Sequence, residues 1–325
     1  MVKPLHAGFL ALMTVAVISP TATATTLVEK VVVKSSFGAA PEQFGRAGLE
    51  KTTKTTRLVN CFSASLNHIA VHDRLKRDVK VFTPAGVFDK AIRLRLTGAK
   101  ADTVRARDIV LDGDILYVLV DEQADGAKSI PAAMRLASFD VGTGVCRDWR
   151  TLDTARLASG QPTARGAEAF LLHPDGTKLW FFDSIRQMSL EIGAGNPAAL
   201  ATRPVFGWGS EHRVRTDDNA STINLLDSAG KVLRRIPGSG VLVAVSESGG
   251  AFAVLQSAGG ADWMITVFSA DGDRIGSAPR PNRAWKPFKA PVMERKYELV
   301  ETPAGPELYE MYANAEGVRI VRWAK

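Results

Sequence analysis

The chain has 325 residues, 46% apolar and 23% charged, with 5 His and 2 Cys. This balance excludes a disordered chain, a collagen-like chain and a small disulfide-stapled domain. The formal charge of +7 alternates with acids along the sequence. That argues against a nucleic-acid binder, which concentrates Lys and Arg on one face.

Residues 1–24 read as a signal peptide. Lys3 and His6 give a short positive start, Ala7 to Ser19 is an apolar run, and Ala22-Thr23-Ala24 offers a small-x-small cleavage pattern. The run is short for a bilayer span, and no later stretch approaches 18 uninterrupted apolar residues. A retained N-terminal anchor is the alternative. No Cys follows the run, so a lipoprotein anchor is not indicated. The expectation is a mature chain from near Thr25, at +6 once the leader's one Lys is gone. It would be periplasmic or secreted, with no membrane span after cleavage. In residues 25–56, Val31-Val32-Val33 reads as a strand that joins the last repeat, and the polar stretch from Ser35 to Thr56 as a connector.

From 57 to 325 the sequence repeats in pattern. Short β-rich runs end in Gly-bearing turns, clearest at Val79–Gly86, Ser221–Gly230 and Ile265–Gly272. Similar turns fall at Gly144, Gly193 and Gly317. Tight hairpins need positive φ, which Gly reaches without steric cost. The six Gly markers stand 37 to 58 residues apart, about 46 on average, a period that suits four short strands. Ile92-Arg93-Leu94-Arg95-Leu96 alternates as a strand does, and long amphipathic helix patterns are absent. A second mark is an apolar strand ending in Asp, at Asp73, Asp121 and Asp183, with Asp217-Asp218 in the comparable place. Asp there most simply accepts backbone hydrogen bonds at the strand-to-turn junction.

On these residues the stretch from Asn67 through Phe88 resembles an NHL repeat and, more broadly, the TolB-like propeller group. His173-Pro174-Asp175-Gly176 is similar to a hairpin common in those families. The resemblance implies an all-β fold, a β-propeller of six blades of about four antiparallel strands, and it fixes no chemistry. The expected blades run 57–96, 104–152, 167–205, 210–237, 240–278 and 291–325. The fourth is short enough to lose a strand. A seven-bladed count or an irregular sandwich stays open.

Cys61 and Cys146 are expected on inner and outer strands of neighbouring blades, which disfavours a bridge. No nucleophile turn, H-E-x-x-H, C-x-x-C pair, P-loop or dinucleotide fingerprint occurs. His68 and His72 in one strand would stand about 13 Å apart, too far to share a metal. Asp112-Gly113-Asp114 and Asp271-Gly272-Asp273 read as turns, without the ligand set of a calcium loop.

The most distinctive chemistry is the connection from Ala278 to Pro291. It carries Arg280, Arg283, Trp285, Lys286, Lys289, Phe288 and four Pro, and Arg and Trp are typical of binding hot spots. Trp208 and His212 stand in an earlier connection expected at the same mouth. The competing reading has Trp285 and Phe288 packing between blades. The expected function is therefore binding of a protein, peptide or glycan through one rim, without catalysis or cofactor. The alternative is a propeller hydrolase or lyase resembling gluconolactonases, with Asp73, Asp121, Asp183 and Asp218 around one divalent cation. A purely architectural subunit is a third reading.

Overall fold

A computed structural model describes residues 25–45, 59–96, 104–122, 133–152, 169–172, 178–182, 187–191, 198–201, 213–216, 222–226, 231–238, 241–246, 250–259, 262–281, 296–314 and 316–325. Within these the chain is all strand and turn. Two N-terminal strands, β1 (Thr25–Thr26) and β2 (Val28–Ser35), precede the repeated part. Sheet I holds β3 (Val59–Ala64), β4 (Ile69–Asp73), β5 (Asp78–Phe82) and β6 (Phe88–Arg93). Sheet II holds β7 (Val104–Asp112), β8 (Ile115–Glu122), β9 (Ala133–Asp140) and β10 (Cys146–Leu152). Sheet III holds β11 (Ala169–Leu172), β12 (Lys178–Phe182), β13 (Gln187–Glu191) and β14 (Ala198–Ala201). Sheet IV has β15 (Arg213–Thr216), β16 (Thr222–Leu226) and β17 (Val232–Pro237). Sheet V has β18 (Val241–Val245), β19 (Ala251–Gly259), β20 (Asp262–Ser269) and β21 (Arg274–Arg280). Sheet VI has β22 (Tyr297–Thr302), β23 (Gly305–Asn314) and β24 (Gly317–Ala324).

Each sheet is an antiparallel meander in chain order. The first strands pack side by side: β3 lies against β7 and β22, β7 against β11, and β22 against β18. Sheets radiating from adjacent first strands make a β-propeller, the architecture expected from the repeat. The N-terminal segment is sewn into the far end of the chain. β2 pairs antiparallel with β24 as the fourth strand of sheet VI, and β1 pairs parallel with β21 as a fifth strand of sheet V. The Val31-Val32-Val33 strand thus joins the last sheet, as its sequence suggests.

Four strand pairs share one irregularity. In each, a single residue of the outer strand is skipped just after the hairpin. Phe82 pairs Phe88 and then Val81 pairs Lys90; Phe139 pairs Cys146 and then Ser138 pairs Asp148. Leu226 pairs Val232 and then Leu225 pairs Arg234; Phe268 pairs Arg274 and then Val267 pairs Gly276. A bulge of this kind raises local twist and fixes register. It also identifies strands. Because β5–β6, β9–β10 and β20–β21 are third-to-fourth pairs, β16–β17 is one too. In sheet IV, the short unit, β15, β16 and β17 therefore stand in the places of second to fourth strands. β15 accordingly packs on β18 as the second strands β4 and β19 pack on β7 and β22.

Apolar seams hold the sheets together. Between VI and I lie Phe62, Val71, Phe82, Met311 and Ile320. Between I and II lie Val79, Val81, Ile92, Ile109, Leu116 and Phe139. Leu27, Ile265, Leu308 and Trp323 fill the seam between V and VI. The Gly turns at 86, 144 and 272 have φ of 84°, 72° and 82°, as hairpins of this type need. Gly193 and Gly230 lie outside the described residues. Cys61 on β3 and Cys146 on β10 are not disulfide-bonded, and they stand in the inner and outer positions expected for them.

Candidate functional site

The turns between second and third strands share one face of the propeller with the connections between sheets. On that face, the turn joining β4 to β5 in sheet I is described in full. Asp73 ends β4 and is 1% exposed. Its Oδ1 accepts the backbone N–H groups of Leu75 and Lys76 at 3.0 Å each, and its Oδ2 accepts Gly45 N–H at 2.7 Å. This is the turn-stabilising role that Asp has at a strand end. It also ties the N-terminal connector to sheet I.

Beneath that turn lies a buried charge cluster. Every residue of β5 is buried, so Lys80 within it must find partners or lose its charge. Its Nζ donates to Pro41 C=O at 2.7 Å and to Asp78 Oδ1 at 3.2 Å, and stands 3.7 Å from Asp73 Oδ2. The ammonium also sits 5.4 Å from the centre of the Phe44 ring. Lys76 Nζ donates to the carbonyls of Ala40 and Gln43, at 2.6 and 2.7 Å. Two cations therefore grip residues 40–43 through backbone oxygens. Burial pushes the Asp78 carboxyl up against the opposing pull of Lys80. Burial, with the neighbouring Lys80 charge, pushes the Lys76 ammonium down. His72 is 2% exposed, and burial, helped by Arg74, lowers its pKa to about 3. A buried neutral imidazole is a packing histidine. His68 stands in the turn before β4, 3.2 Å from Asp114 Oδ1.

Arg280, one of the residues singled out in the Pro-rich connection, ends β21 and is 7% exposed. Its guanidinium donates to Glu310 Oε1 from Nε at 2.8 Å and reaches the same oxygen from Nη2 at 2.6 Å. The Tyr297 hydroxyl donates to that oxygen too, at 3.3 Å. The arrangement locks the end of sheet V to sheet VI. At the far end of the connection Lys296, 1% exposed, donates to Val59 C=O at 3.0 Å, while its own carbonyl accepts Met311 N–H. Arg280 and Lys296, on either side of residues 282–295, are thus both buried, hydrogen-bonded cations.

Arg283, Trp285, Lys286, Lys289, Trp208 and His212 lie outside the described residues, as do Asp183 and Asp218. Asp121 is on β8, its backbone paired with Arg105 and Met134. Among the described residues no group of three His, Cys, Asp or Glu side chains is placed to hold a metal. Lys80, Lys296 and Glu310 were not singled out in the sequence. For Lys80 a signal existed, since Val79-Lys80-Val81 places a charge inside a strand flanked by apolar runs, with Asp73 and Asp78 across a short turn.

No protein-family model matches the chain, and no curated protein matches it in sequence. Solved structures do align with it. The WD40 domain of Toxoplasma gondii coronin is 10% identical, covers 93% of this chain and 87% of its own, and gives a TM-score of 0.42. A protein of unknown function from Bacteroides thetaiotaomicron is 11% identical over 91% of this chain and 75% of its own, with a TM-score of 0.44. An oligogalacturonate lyase in complex with manganese is 12% identical over 79% and 74%, also at 0.44. The assignment of this chain as a β-propeller rests on its own strand order and seams.

Proposed function

We propose that the chain is an exported six-bladed propeller of NHL or TolB-like type that binds a protein, peptide or glycan through the rim carrying the 282–295 connection. The observation that supports this reading is the double anchoring of that connection, by Arg280 with Glu310 at one end and Lys296 with Val59 at the other. A segment fixed at both roots loses less entropy on binding than one free to wander. Arg283, Lys286 and Lys289 would engage acidic or carbonyl groups, and Trp285 would supply stacking area. The hydrolase alternative needs Asp73 as a ligand, and Asp73 spends its oxygens on Gly45, Leu75 and Lys76.

The test is binding of the purified mature protein to defined acidic and neutral glycan and peptide arrays, beside an Arg283→Ala/Trp285→Ala variant. Loss of binding with an unchanged melting temperature supports the rim. A large fall in melting temperature instead assigns those side chains to packing between blades. Close to one divalent metal per chain after exhaustive dialysis favours the hydrolase reading.

A further inference from the structure

The N-terminal arm, residues 25–45, lies in a groove cut for it across three sheets. At sheet V, Thr25 and Thr26 run parallel to Gly276 and Ser277, and Leu27 N–H donates to Ser277 C=O at 3.0 Å. A Cβ on Gly276 would stand 2.7 Å from Leu27 Cδ2 and 2.9 Å from Thr25 O. The bulge register puts Gly276 at the place held by Lys90 in sheet I and Arg234 in sheet IV. There both cations cross to the next sheet's hairpin, to Gly142 O and Asp271 O respectively. Sheet V has no side chain at that place, and Leu27 enters instead, 3% exposed.

Two further glycines continue the notch. A Cβ on Gly317 of sheet VI would meet Ser35 O at 2.0 Å, and one on Gly86 of sheet I would meet Val32 O at 1.5 Å. All three positions clear the arm's backbone, so the groove reads an extended strand at close range. The arm then ends in the Lys76, Lys80 and Asp73 bonds to residues 40–45. The exposed residues of β2 are Val28 and Val31, at 62% and 46%, together with Lys30 and Lys34.

From Gly45 to β3 there are 13 residues, 46–58, whose extended contour is about 45 Å. That length reaches a neighbouring molecule as well as the chain's own body. We propose that the groove is a strand-acceptor site whose second occupant is the same arm of another copy, giving a reciprocally arm-exchanged dimer. Exchange of an identical element costs little, because each arm makes in its partner the contacts it makes at home.

The test uses full-length chains in a Cys146→Ser background. Val28 and Ala324 are register partners across β2 and β24. Val28→Cys chains and Ala324→Cys chains are mixed at high concentration, unfolded and refolded together, and then oxidised. Arm exchange yields a covalent heterodimer several-fold above the yield from Val28→Cys mixed with Leu233→Cys, an exposed position on sheet IV. Equal yields in the two mixtures, or no heterodimer in either, overturn the proposal. The double variant Val28→Cys/Ala324→Cys, refolded dilute, must close within one chain. This shows that both cysteines are tolerated and correctly placed, so a negative result cannot be put down to misfolding.

Discussion

The two seams of sheet I are built differently. Toward sheet II the contact is apolar, from Val79 and Val81 across to Ile109, Leu116 and Phe139. Toward sheet VI the apolar contact gives way, at the connection face, to Lys80, Asp73 and Asp78 under the arm. Sheets I and II follow one another in the chain, so little besides burial is needed to bring them together. Sheets VI and I are joined by opposite ends of the sequence, where a wrong register is a real competitor. Buried charges that fit one register only penalise the others, a role for which polar core groups are known. Lys80→Met tests this most severely, because it strands two buried carboxylates; the expected loss is about 3–5 kcal/mol in urea unfolding. Adding Asp78→Asn should restore part of it. A loss below about 1 kcal/mol would mean that the cation does not compensate the cluster.

The seam toward sheet II contains one ionisable group of interest, His72, which shares its strand face with Ala70 of that apolar cluster. Its pKa is about 3 in the folded chain against an ordinary 6.5. Between those values the unfolded chain takes up a proton that the folded chain refuses. Its contribution is therefore complete above about pH 6.5 and falls as the pH drops toward 3, by about 1.4 kcal/mol per pH unit. Urea-unfolding free energies for wild type and His72→Gln, from pH 7.5 to 4.5, should diverge in slope by that amount. Taking the difference cancels other carboxyls, including Asp78, whose raised pKa acts in the opposite sense. Parallel curves would show that His72 is not held neutral by its seam.

The limits of the sheets were legible in the sequence because strands and Gly hairpins are local signals. The expected unit 104–152 coincides with β7 through β10, and 57–96 encloses β3 through β6. What joins the sheets was not legible, because the partners are remote. Lys296 and Val59 are 237 positions apart, and Gly45 and Asp73 are 28 apart. Nothing near Arg280 in the sequence announces Glu310, so a side chain read as a rim contact is found as half of a buried ion pair. The short fourth unit was visible as short. That β15 to β17 stand in the places of second to fourth strands needed the bulge register, which is a property of two paired strands.

The smallest expected effects separate a glycine that only turns the chain from one that also admits the arm. Gly113 has φ of +55°, and a Cβ there would meet nothing within 4 Å. Gly113→Ala should therefore cost only the left-handed backbone term, about 1–2 kcal/mol. Gly86 has φ of +84°, and its Cβ would fall 1.5 Å from Val32 O on the arm. Gly86→Ala carries the same backbone term and must also push β2 away or shift its own hairpin. The melting temperature should fall further than for Gly113→Ala. The decisive reading is local, however. Amide exchange of Val32 to Ser35 should quicken in Gly86→Ala and stay unchanged in Gly113→Ala. If β2 keeps its protection in both variants, the hairpin of sheet I moves in place of the arm. The grip on β2 would then come from β24 and Gly317 alone, and sheet I would hold the arm only through Lys76, Lys80 and Asp73.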